Sequence, residues 1–221
     1  MADSHPYAVI DPHDKGDMKI VMHANKYPGD VRAEMMRYYR HDSEEEDSSN
    51  YVMLSKNDLT YTLDLIFPKV GFYKLSLTSG NRLVHQYLIN VIEPDTKSGP
   101  FPTEGPGWRN DYQLQGTRTG NLEADRKFLI QLKAADARKV RAVYDDGKEV
   151  EFTNNGDEWE GEVHTDPRGG GKLRIIMEDP ETRRDVLLLT YNVSFFASIY
   201  LVNLIYRIRM RSKSCEAGLE L

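Results

Sequence analysis

Tyr61-Thr62-Leu63-Asp64-Leu65-Ile66-Phe67-Pro68-Lys69-Val70-Gly71-Phe72-Tyr73-Lys74-Leu75-Ser76-Leu77 decides the fold. Tyr61, Leu63, Leu65 and Phe67 recur at every second position. Past the break at Pro68–Gly71, Tyr73, Leu75 and Leu77 do the same. Side chains alternate across a strand, so period two marks a strand with one buried face. Ser79-Gly80-Asn81 is a hairpin signal and leads into a third run, Arg82–Val91. The register of that run stays open. One face could carry Leu83, His85, Tyr87 and Ile89, or the other register could hold, and Val84, Leu88 and Val91 do not settle it.

The same style extends in both directions. Upstream, Met18–Met22 follows a turn at Asp14-Lys15-Gly16-Asp17, and Tyr51–Leu54 follows an acidic stretch. Val31–Tyr39 is the longest helical candidate, and its Met35, Met36, Tyr38 and Tyr39 suit a strand nearly as well. Downstream, Phe128, Ile130 and Leu132 alternate. Val140–Tyr144 turns through Asp145-Asp146-Gly147 into Lys148–Phe152. Asn154-Asn155-Gly156-Asp157 turns into Trp159–Val163, Pro167–Gly171 turns into Leu173–Met177, and Val186–Val193 ends the series. Between the two groups, residues 94–107 hold four prolines and three glycines, an extended linker.

Short strands spaced 8–12 residues apart with turn signals form the pattern of a β-sandwich. The expected fold is all-β: two tandem immunoglobulin-like sandwiches at 1–93 and 108–193, the linker 94–107, and an apolar-then-basic tail at 194–221 with helical potential. Gly71, Tyr73 and Leu75 sharpen this. Immunoglobulin-type domains place Gly or Ala, then Tyr, then Cys at alternate positions entering strand F, and the tyrosine hydroxyl ties back to the preceding corner. Leu75 stands where that cysteine would be, filling the same core space without a disulfide.

Composition excludes other classes. The 221 residues carry 29 basic and 35 acidic side chains and one cysteine, Cys215. One thiol supports neither an internal disulfide nor a cysteine-rich zinc module. A pI near 5.6 opposes a general nucleic-acid binder. There is no P-loop and no Gly-x-Gly-x-x-Gly. Met1–His13 lacks the pattern of a secretory signal, so a cytoplasmic location is expected.

Pro68–Leu75 followed by Tyr87-Leu88-Ile89 resembles a non-catalytic domain of the kyphoscoliosis peptidase and hillarin family. Gly99-Pro100-Phe101-Pro102 leading to Trp108, the strand in Ala137–Tyr144, the hairpin Trp159–Val163 and the run Leu187–Val193 extend the resemblance over residues 7–193. In that family a transglutaminase-like core with a Cys–His–Asp triad precedes such β-domains, and the proteins associate with the cytoskeleton. The resemblance implies β-domain character and a cytoskeletal protein partner. It does not carry over catalysis. A thiol nucleophile needs a base beside it in a packed site, and Cys215 follows both domains, beyond the basic run Arg207–Lys213. The chain resembles the non-catalytic arm alone, so no catalytic residue, cofactor or metal is expected.

The remaining candidates are read the same way. His5, His13, His23, His41, His85 and His164 show no metal-ligand spacing. Glu44, Glu45, Glu46 and Asp47 form the densest charge run, a candidate interaction loop whose bland alternative is a solvated strand connection. Glu158, Glu160 and Glu162 alternate with Trp159, Gly161 and Val163, which puts the acids on the solvent face. Trp108 is expected to pin the linker. Pro167–Lys172 has three glycines and two cations, but a strand follows it, not the helix N-terminus that a phosphate cradle needs. Val186–Tyr206 is 21 uncharged residues followed by cations at Arg207, Arg209, Arg211 and Lys213. Once Val193 is spent on the last strand, the rest is too short to span a bilayer, so a membrane tether through 194–221 is the less favoured reading. The expected function is a non-catalytic, protein-binding module of a cytoskeleton-associated protein. Its alternatives are an accessory region of a transglutaminase-like cysteine peptidase and a membrane-tethered β-domain protein.

Overall fold

A computed structural model of the chain describes residues 2–3, 9–10, 16–25, 29–38 and 45–195. The strands are β1 (Ala2–Asp3), β2 (Val9–Ile10), β3 (Asp17–His23), β4 (Val31–Tyr38), β5 (Glu45–Asp47), β6 (Val52–Asn57), β7 (Thr60–Ile66), β8 (Gly71–Ser79) and β9 (Arg82–Val91). They form two facing sheets, ordered β1-β3-β7-β6 and β2-β9-β8-β4-β5. This is the immunoglobulin arrangement, with the short β2 added in parallel to the last strand, β9.

The second unit repeats it. Its strands are β10 (Thr103–Glu104), β11 (Gln113–Leu114), β12 (Asn121–Glu123), β13 (Lys127–Lys133), β14 (Val140–Tyr144), β15 (Glu149–Glu151), β16 (Thr153–Asn155), β17 (Glu158–His164), β18 (Lys172–Glu178) and β19 (Asp185–Ser194). One sheet is β11-β13-β17-β16; the other is β10-β19-β18-β14-β15, with β12 parallel to β19. The chain is thus all-β among its described residues, two immunoglobulin-like sandwiches of the same strand order. The Pro/Gly stretch is more than a spacer, because β10 within it pairs with β19.

Val31–Tyr39, the helical candidate, is strand β4: Val31 and Met35 face the core while Arg32 and Glu34 face solvent. The register of Arg82–Val91 resolves through a bulge. Leu77 pairs with His85 but Thr78 pairs with Leu83, so Val84 is an extra residue. Tyr87, Ile89 and Val91 therefore point inward, and Leu83 is exposed. Neither simple alternation holds across the bulge. A second bulge in β19 leaves Leu188 and Leu189 both buried. The β8–β9 turn needs a left-handed residue, and Gly80 supplies it at φ +56°.

Each unit has its own core. Leu63, Tyr73, Leu75 and Tyr87 centre the first. Leu132, Trp159, Ile175 and Tyr191 centre the second, which also takes in Met53 and Ile66 from the first unit. Tyr51 packs against both cores. Polar contacts reinforce the junction. Phe101 N–H donates to Asn50 O at 2.9 Å and Lys56 N–H to Asn110 O at 2.5 Å. Asn110 Nδ2 donates to Val31 O at 2.9 Å, and Arg118 pairs with Asp64 at 3.1 Å. Among the described residues no helix is long and apolar enough to cross a membrane. The predicted tail beyond Phe195, with Cys215, lies outside the described residues.

Candidate interaction surface

The corner before β8 is built from the deciding stretch. Tyr73 and Leu75 are fully buried, and Tyr73 Oη donates to Lys69 O at 2.8 Å. The Tyr73 ring meets Phe67 edge-on at 5.0 Å. Gly71 sits beside the Arg37 guanidinium with φ +139°, where a side chain would be strained. Removing the hydroxyl in Tyr73→Phe would leave the Lys69 carbonyl without this donor. The expected loss is about 1 kcal/mol, read as a lower denaturant midpoint at unchanged slope.

Arg37 fixes the same corner from β4. Although charged, it is only 7% exposed. Its Nη2 and Nε donate to Val70 O at 2.7 and 3.1 Å, and its Nη1 reaches Glu46 at 3.1 Å. Lys69 holds the other Glu46 oxygen at 2.7 Å. Glu45, Glu46 and Asp47 form edge strand β5 on β4, and Glu46 is committed to two internal cations. Asp47 accepts from Ser49 N–H at 2.9 Å, and that bond lowers its carboxyl pKa. Glu44 lies outside the described residues.

On this braced corner the outward face is apolar. Val70 is 52% exposed, Phe72 36%, Leu88 42% and Ile92 70%. Register places Tyr38, Phe72 and Asn90 side by side, and Met36, Lys74 and Leu88 next to them. Lys74 Nζ lies over the Tyr38 ring at 5.0 Å. Val70, Phe72, Asn90 and Ile92 line a shallow depression of about 420 Å³. Exposed apolar side chains grouped on one rigid sheet face form a candidate contact surface. Its sequence signal is Phe72, an aromatic out of phase with Tyr73 and Leu75.

The second unit's candidates are internal. Trp108 is buried against Tyr112, 5.9 Å away and near-perpendicular. Trp159 Nε1 donates to Ala134 O at 3.2 Å. Gly161 faces the core, and a Cβ there would meet the Phe152 ring at 2.3 Å. Tyr112 Oη donates to Asp136 at 2.7 Å, and burial drives its phenol pKa upward. Glu158, Glu160 and Glu162 lie on the opposite face and accept from Gln115, Gln131 and Lys127. In the turn before β18, Arg168 pairs with Asp166 and holds that carboxyl at about 2. Lys172 N–H donates to Asp145, which also pairs with Arg174. His23 meets Thr60 at 3.0 Å, His85 packs on Tyr87 at 4.4 Å, and His164 lies 3.6 Å from Asp125. Among the described residues no three metal-binding side chains come together.

A second concave feature lies between the units. A groove of about 590 Å³ runs between the start of β4, the edge of β6 and the linker strand β10. Sequence reasoning missed it. The available signals were the unbroken apolar runs Val52-Met53-Leu54 and Leu65-Ile66-Phe67, which a one-faced strand does not need.

Residues 2–102 match the KY-like, immunoglobulin-like domain family. No curated protein matches the chain. Among solved structures, the chain is similar to the polymeric Ig receptor ectodomain of a teleost fish. That match has 10% identity, covers 82% of this chain and 93% of the other, and has a TM-score of 0.23. The tandem Ig repeats of Dlar match at 11% identity, covering 85% and 92%, with a TM-score of 0.24. A Bacteroides ovatus mixed-linkage glucan utilization protein, SGBP-B, in complex with a mixed-linkage heptasaccharide, matches at 10% identity. It covers 86% of this chain and 43% of its own, with a TM-score of 0.22.

Proposed function

We propose, for a chain whose residues 2–102 match the KY-like, immunoglobulin-like domain family, that it works as a non-catalytic, protein-binding module of a cytoplasmic, cytoskeleton-associated protein. The observation that carries this reading is the exposed apolar face of the first sandwich, Val70, Phe72, Leu88 and Ile92, on a corner braced by Tyr73 and Arg37. A buried aromatic anchor is the typical centre of a binding hot spot. Burying a Phe or Ile side chain contributes about 1.5–3 kcal/mol, enough for a selective contact in a modest interface.

Cosedimentation with a filamentous cytoskeletal fraction tests the reading. The Phe72→Glu/Ile92→Glu variant is expected to lower the apparent affinity at least about tenfold. Ile92 is 70% exposed but Phe72 only 36%, so binding is compared at a temperature where thermal unfolding shows both chains folded.

A further inference from the structure

The groove between the sandwiches leaves one position on the edge of β4, Ala33, unused. Met35 N–H takes the Ser49 hydroxyl as acceptor at 3.1 Å, and Ser48 N–H donates to Met35 O at 2.8 Å. The backbone of Met35 therefore points away from β8. In an antiparallel strand such groups alternate in direction, so Val31 and Ala33 point the same way. Val31 O is taken by Asn110 Nδ2. The N–H and C=O of Ala33 have no hydrogen-bond partner among the described residues, and Ala33 lines the groove. Opposite it, Gly105 N–H donates to Leu188 O at 2.7 Å, which turns the backbone of Glu104 away from β19 and toward the groove.

The charge at the groove is one-sided. Arg32 pairs with Asp30 at 3.6 Å and the two cancel. Glu34 and Glu104 have no ion-pair partner among the described residues. Glu104 is solvent-accessible yet crowded, and the resulting desolvation raises its carboxyl pKa. A cation placed there would relieve that cost. Ala33, Val52 and Pro106 supply the accessible apolar part of the lining, with Phe101, Met53 and Trp108 buried behind them.

We propose that this groove binds an extended peptide segment in which basic and apolar residues alternate, added as a strand to the free edge of β4 at Ala33. Main-chain bonds to Ala33 supply the strand pairing, as in other β-augmentation sites. Alternate side chains meet opposite surfaces, cations at Glu34 and Glu104 and apolar groups at Val52 and Pro106. This site rests on the protein-binding reading but uses a surface separate from the Phe72 face.

The test uses a fluorescein-labelled synthetic peptide, Gly-Arg-Ile-Arg-Val-Arg-Gly, titrated into the full chain and followed by anisotropy. Saturable binding is expected, with slowed amide exchange at Ala33. The surface variant Glu34→Lys/Glu104→Lys should weaken binding at least about tenfold, while Phe72→Glu/Ile92→Glu should leave it unchanged. A peptide with proline in place of the isoleucine and valine, unable to donate at those positions, should bind at least about tenfold more weakly. No binding, unaltered exchange at Ala33, or equal binding to Glu34→Lys/Glu104→Lys would overturn the proposal. Cosedimentation lost in Phe72→Glu/Ile92→Glu alongside a failed titration would remove the groove site and leave the protein-binding reading standing. A failure of both would remove both.

Discussion

Replacing Leu75 by alanine is expected to cost about 2–5 kcal/mol of stability, seen as a large drop in the denaturant midpoint. Leu75 is fully buried at the centre of β8, between Met35 on β4 and Tyr87 on β9, both also fully buried. Its neighbours belong to paired strands and cannot close in, so truncation leaves a cavity. The effect is large because the first core depends on packing alone, with Leu75 where a related extracellular domain would place a core cysteine. A loss below about 1 kcal/mol would mean that the sheets can collapse around the site, contrary to the packing described.

Gly161→Val is expected to be comparably damaging, by overfilling. Gly161 lies on the core face of β17 opposite Ile130, and its α-carbon is covered by the Phe152 ring. A Cβ would lie 2.3 Å from Phe152 Cδ1 and 2.5 Å from Cε1. Phe152 is buried, and its own N–H is held by Val140 O at 2.9 Å, which limits its retreat. Overpacking of this kind costs about 1–3 kcal/mol, occasionally more; the valine branches put this site at about 3 kcal/mol. Phe152→Ala should suppress part of the loss. The double variant is expected to fall short of the summed single effects by at least about 0.5 kcal/mol. Strict additivity would show that the two positions do not share space.

What the sequence made legible was the alternation. Tyr61 to Leu77 carries its own turn and two buried faces, and Trp159-Glu160-Gly161-Glu162-Val163 separates core from solvent without help. Two kinds of feature escaped. Bulges at Val84 and Leu188 shift the phase mid-strand, so period two fails where the last strand of each unit must twist. Two-residue strands such as β2, β10 and β11 have no period to detect. The acidic run looked solvated because its partners, Arg37 and Lys69, come from other strands. The groove was invisible for a related reason. Met53 and Ile66 serve the neighbouring unit's core, and only the docked pair of sandwiches shows why their strands are apolar on both faces.

The two units repeat one topology but not one corner. Gly71-Phe72-Tyr73-Lys74-Leu75 has its counterpart in Gly171-Lys172-Leu173-Arg174-Ile175, entering β8 and β18 respectively. Leucine replaces the tyrosine, and lysine replaces the exposed Phe72. The second unit therefore has neither the hydroxyl tie nor the apolar anchor at this position. That asymmetry favours the first sandwich as the seat of the proposed binding function.

The most direct test of that assignment is cosedimentation of the parent chain and of Phe72→Glu/Ile92→Glu with the same filamentous cytoskeletal fraction, at a temperature where both chains are folded. The account predicts that the parent chain sediments with the filaments and that the variant binds at least about tenfold more weakly. A fully folded variant that sediments as the parent does, or a parent chain that stays in the supernatant, would contradict it.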